Sequence, residues 1–67
     1  MTQNRIISMA NQIARNFAVA GEEAAATQTA EHIRHFWSPA MRAQLLQQAQ
    51  GLDPIAARAC ALLARRS

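Results

Sequence analysis

The stretch His35–Leu46, "HFWSPAMRAQLL", decides how the chain is read. Pro39 disfavours helical geometry at the residue before it, so a helix arriving through Phe36 and Trp37 has to stop at Ser38. The same dipeptide starts the next helix. Ser38 is a favoured N-cap, and Pro39 takes the first helical position, where a missing N–H costs nothing. The device recurs in "GLDPIAARACALL" (Gly51–Leu63), where Gly51 closes one helix, Asp53 caps the next and Pro54 begins it.

Upstream, apolar spacing supplies the rest. Ile6, Met9 or Ala10, Ile13 and Phe17 recur three and four residues apart, which predicts a helix over 4–19 with Thr2 or Asn4 as its cap and Gly21 as its end. Ile7 and Ala14 widen its apolar face, while Arg5, Asn11, Gln12, Arg15 and Asn16 surround it. Glu22 and Glu23 open a second helix, 22–37, at the end where the helix dipole favours acids. Its stripe is Ala26, Ala30 or Thr29, Ile33, and Phe36 or Trp37. The third helix, 39–50, buries Met41 and Leu45, with Leu46 and Ala49 beside them, and turns Gln44, Gln47, Gln48 and Gln50 outward. The fourth, 54–66, carries Ile55, Ala59, Leu62 and Leu63 and finishes on Arg65 and Arg66, where cations complement the dipole. The expectation is an all-α single domain over residues 1–67, a compact bundle of four short helices joined by tight turns.

Composition makes that bundle thin. Of 67 residues 51% are apolar, but 16 of those are Ala, and at roughly 25 cal/mol per Å² they contribute little burial. Such a domain gains from burying a face on something else. A single Cys excludes a disulfide framework or a Cys-based metal site built by this chain alone, and Cys60, between Ala59 and Ala61, reads as a small core residue. No apolar run approaches a membrane span, and the N-terminal residues lack a signal-peptide pattern, which predicts a cytoplasmic protein. The net charge is +3 and every cation is Arg, spread along the whole chain. Arg suits protein interfaces as well as polyanions, through its planar fork and its stacking on aromatic rings.

No constellation in the chain carries chemistry. His32 and His35 are three apart on one helix face, but Glu31 and Asp53 complete no recognised metal-ligand spacing. Of Ser8, Ser38 and Ser67, Ser38 is occupied as a cap and Ser67 is terminal; Glu22 and Glu23, as sequence neighbours, do not face each other. The two Gly are isolated and cradle no phosphate. A helix-turn-helix nucleic-acid binder is one alternative, resting on the short turn after Trp37, yet its reading helix would offer Pro39, Ala40 and Met41 to the bases and Arg42 as its one cation. The polar faces mix Asn, Gln and Glu with Arg, unlike a lipid-surface helix.

Phe36 and Trp37 point about 100° apart around the helix, so one can face the core while the other lies at its rim. A rim Trp beside Arg is a frequent binding hot spot. Both rings filling the core is the competing account.

Three segments carry a resemblance: "SMANQIARNFA" (Ser8–Ala18), "AEHIRHFWSPAMRAQLL" (Ala30–Leu46) and "GLDPIAARA" (Gly51–Ala59). Together they are similar to the small delta subunit of the soluble, molybdenum-containing, NAD-dependent formate dehydrogenases, over nearly the full length. Ser38 stands where that pattern has Asp, and His35 where Lys is common. The resemblance implies an accessory subunit of a cytoplasmic bacterial complex that oxidises formate to carbon dioxide with NAD⁺. The complex is expected to carry a molybdenum (or tungsten) bis-pterin guanine dinucleotide, iron–sulfur clusters and FMN in other subunits, and no cofactor in this chain. Its implied role is assembly, cofactor loading or stability of the large molybdenum-binding subunit; a transient assembly chaperone absent from the mature enzyme is the related alternative. With that partner, the expected contact set is Trp37, Arg34 and Arg42, supported by His32 and His35.

Overall fold

The computed structural model describes residues 2–47 and 51–66. Among them are four helices and no strand: α1 (Thr2–Phe17), α2 (Glu22–Phe36), α3 (Pro39–Gln47) and α4 (Pro54–Arg66), with a 3₁₀ turn at Ala18–Ala20 after α1. The body measures 29 × 23 × 18 Å.

The boundaries differ from the sequence expectation by a residue or two, with local causes. α1 begins at Thr2, so Asn4, one of its two expected caps, lies inside the helix. Its α-helical part ends at Phe17 because the chain tightens into the 3₁₀ turn before Gly21. Gly21 then serves two elements: its N–H donates to Ala18 O at 3.1 Å, and its own carbonyl accepts the Ala25 N–H at 2.8 Å. Its φ of 98° is open to glycine and strained for other residues. α2 stops at Phe36, not Trp37. Trp37 is extended (φ −91°, ψ 145°) while its N–H still donates to Ile33 O at 2.9 Å. Residues 48–50, expected to finish the third helix with Ala49 inward and Gln48 and Gln50 outward, lie outside the described residues, as does Ser67.

The core is built on the spacing expected, with small shifts of register. α1 buries Ile6, Ala10 and Ala14, and Met9 is left at the surface. α2 buries Ala25, Ala26, Thr29, Ala30 and Ile33, followed by Trp37 just beyond it. α3 contributes Leu45, with Met41 and Leu46 partly buried against the same cluster. α4 buries Ala56, Ala59, Cys60 and Leu63, whereas Ile55 and Leu62 are only half-buried. Cys60 is a free, buried thiol whose pKa burial pushes above its ordinary value. α2 packs most extensively on α4, and both present small side chains on their buried faces. Thr29 is the exception in polarity: it is fully buried and its Oγ1 has no hydrogen-bond partner.

One side chain on α1 fixes where α4 starts. The amide of Asn11 donates through Nδ2 to Gly51 O at 3.0 Å and accepts the Asp53 N–H at Oδ1 at 2.8 Å. It therefore serves the loop as a neighbouring backbone would, pairing with one carbonyl and one N–H two residues apart. One turn along α1, Arg15 Nε lies 3.4 Å from Asp53 Oδ2. Asp53 also closes the first turn of α4, its carbonyl accepting the Ala57 N–H at 2.8 Å. Gly51 makes the bend with φ 85°, passing Ile7. The expected polar surface of α1 thus includes the clamp that holds the Asp53–Pro54 helix start in place.

Candidate docking surface at the second helix corner

The corner between α2 and α3 is braced from both sides. Ser38 Oγ accepts the Met41 N–H at 3.2 Å and Ser38 O accepts the Arg42 N–H at 3.0 Å, so two of the first N–H groups of α3 are satisfied by one residue. Pro39 begins the helix without an N–H to satisfy. From the first turn of α3, Arg42 reaches back and donates through Nη1 to Arg34 O at 3.0 Å. That bond satisfies a carbonyl of the last turn of α2 and sets a cation at the negative end of its dipole. Arg42 is a strut across the corner.

The brace settles which aromatic faces which way. Trp37 follows Ile33 by four residues on the buried face, and only 7% of it is exposed. Phe36 is 75% exposed. The expectation of a rim Trp is corrected: Trp37 belongs to the core cluster with Ile33 and Leu45, and the ring presented outward by this corner is Phe36. The helical register, still held at Trp37 by its N–H bond to Ile33 O, carries the indole inward, and the extended ψ of 145° turns the chain away after it.

Around Phe36 a small shelf forms. The His32 ring lies 4.7 Å from that of Phe36, tilted by 37°, and 6.3 Å edge-on from that of Phe17 at the end of α1. Together with Gln28 and His35 these residues line a shallow groove on the outer face of α2. His35 Nδ1 lies 3.0 Å from Glu31 O and 3.9 Å from Glu31 Oε1. Arg34 Nη2 donates to Glu31 Oε1 at 2.7 Å, an exposed pair one helical turn apart. Of the five expected contact residues, His32 and His35 line this groove, Arg34 lines a separate cleft with Leu62 and Leu63 of α4, Arg42 braces the corner, and Trp37 is in the core. Phe36 was one of two readings of the stripe; Phe17 and its ring contact with His32 needed the α1–α2 packing to become visible.

His32 and His35 point to different neighbours, one to phenyl rings and one to Glu31. Among the described residues no three His, Cys, Asp or Glu side chains gather where they could hold a metal ion. The single thiol, Cys60, is buried in the core. Among the described residues no helix is long and apolar enough to cross a membrane.

A family model described as the NADH-dependent formate dehydrogenase delta subunit FdsD matches residues 5–60, a span that takes in Asn11, the braced corner and the 51–53 loop. No curated protein and no solved structure matches the chain.

Proposed function

The chain belongs to the family of NADH-dependent formate dehydrogenase delta subunits, and from that premise we propose that it is a non-catalytic accessory subunit. It acts in the cytoplasm by protein–protein contact, supporting the assembly, cofactor loading or stability of the large molybdenum-binding subunit. Formate oxidation, and the molybdenum, iron–sulfur and flavin groups it uses, belong to the other subunits.

The observation that carries this reading is Phe36, a large aromatic side chain held mostly in water on a corner whose every other feature is spent on rigidity. A thin bundle has good reason to bury such a ring, and here the neighbouring Trp37 takes the place in the core. An exposed aromatic on a pre-ordered frame is the economical way to dock, since little conformational freedom remains to be lost on binding.

The reading is tested by expressing the complex with and without a tagged copy of this chain. The tagged chain is expected to recover the large subunit, to oxidise no formate alone, and on omission to lower the molybdenum content or thermal half-life of the large subunit. Recovery of no formate dehydrogenase subunit by the wild-type chain overturns the proposal. Recovery from immature but not mature enzyme converts it to the transient-chaperone form.

A further inference from the structure

Beyond the accessory-subunit reading, and independent of it, we infer that α3 is a hinged flap. It opens from the bundle as a unit while α1, α2 and α4 stay packed, and Arg42 is the latch that holds it closed. The case begins with how little α3 buries. It has nine residues, and a helix that short is marginal in water without tertiary support. Leu45 is its one fully buried side chain; Met41 and Leu46 are half-buried, and Pro39, Ala40 and Ala43 are exposed. α2 and α4 each bury several side chains and make the most extensive packing in the molecule, whereas α3 packs on α1 and, to a smaller extent, on α4.

The polar attachments divide in the same way. Among the described residues, the one hydrogen bond from an α3 side chain to another helix is Arg42 Nη1 to Arg34 O at 3.0 Å. That bond is exposed, so water replaces both partners when it breaks. The two capping bonds at Ser38 join it to the first turn of α3 and move with the helix. Trp37, by contrast, keeps its N–H on Ile33 O and so belongs to α2, and its extended ψ of 145° puts the hinge at the link from Trp37 to Ser38. On the far side, Asn11 holds Gly51 O and Asp53 N–H to α1, so the start of α4 stays in place whatever α3 does. The flap therefore swings between two fixed points. Opening uncovers Leu45 and the part of the core that includes Ile33 and Trp37. Such an opening is a sub-global event, with a free energy below that of unfolding the whole chain.

The test is amide hydrogen exchange of the full chain, resolved by NMR, for the wild type and Arg42→Gln, with and without low urea, and with helicity checked by circular dichroism. The best-protected amides of α3 are expected to exchange about tenfold or more faster than those of α2 and α4, with a weaker dependence on urea because less surface is exposed. Arg42→Gln is expected to speed exchange in α3 by about fivefold, the effect of one net hydrogen bond, and to leave α2 and α4 within about twofold of the wild type. Equal protection in α3, α2 and α4 of the wild type overturns the flap, because α3 then opens only with the whole chain. Absence of any protection in α3 overturns it as well, since no closed state is then populated. An unchanged α3 in Arg42→Gln removes Arg42 as the latch. Faster exchange in all the helices alike, or loss of helicity throughout, makes Arg42 a support of the entire bundle and overturns the inference.

Discussion

Replacing Asn11 with Ala removes both halves of the amide clamp at once. Each bond contributes about 1 kcal/mol net, and the Asp53 N–H, part-buried beneath the clamp, is left without its acceptor, so the loss comes to about 2–3 kcal/mol. A chain of 67 residues at about 0.05–0.15 kcal/mol per residue has only about 3–10 kcal/mol in total. At about 4–8 °C per kcal/mol for a domain of this size, Asn11→Ala is expected to melt about 8–24 °C below the wild type. Asn11→Asp separates the two bonds: it keeps an acceptor for Asp53 N–H but sets a carboxylate against the Gly51 carbonyl, so it too is destabilised. Thermal melts followed by far-ultraviolet circular dichroism give the stabilities, and amide exchange at Asp53 reports the clamp itself. Melting of Asn11→Ala within about 2 °C of the wild type, or exchange at Asp53 no faster than in the wild type, refutes the claim that this side chain holds the start of α4.

Other consequences follow from single buried groups. Thr29→Val keeps the shape of the side chain and removes a buried hydroxyl without a partner, so it is expected to stabilise the chain by about 1–2 kcal/mol in urea titrations. Cys60 is expected to resist alkylation in the folded protein and to react at the rate of unfolding. Its folded-state pKa is raised, so the unfolded chain releases the thiol proton first, and stability should decline as pH rises above about 9. Trp37→Ala removes a core ring at a cost of about 3–5 kcal/mol, enough to unfold much of a domain this small. It should therefore lose helicity together with co-purification, whereas Phe36→Asp should lose only the latter.

What the sequence made legible were features whose causes are local. Ser38–Pro39 and Asp53–Pro54 mark helix starts because capping and proline geometry act within a few residues. The stripe through Ala26, Ala30 and Ile33 implied a buried face that the fold uses. The choice between Phe36 and Trp37 was half legible: continuing that stripe by four residues from Ile33 points to Trp37 as the inward ring, but the appeal of a Trp–Arg pair at the rim argued the other way. Arg42 was expected to point at a partner, and its main-chain bond to Arg34 depends on how α3 folds back, which no spacing encodes. Asn11 was the least legible. Its partners lie 40 and 42 residues away, so on its own helix it is one polar residue among several.

The small buried side chains of α2 and α4 limit which substitutions the chain accepts. Ala25, Ala26, Ala56 and Ala59 are each almost wholly enclosed on the two helices that pack most extensively. Enlarging any of them overpacks the interior at about 1–3 kcal/mol, a large share of what the domain has, while shrinking one to Gly costs about 1 kcal/mol in helix propensity. Smallness, more than hydrophobicity, is what these positions require, and Ser is a nearer substitute for these Ala than Leu or Val. Room for larger side chains is thereby confined to the outer faces of the bundle.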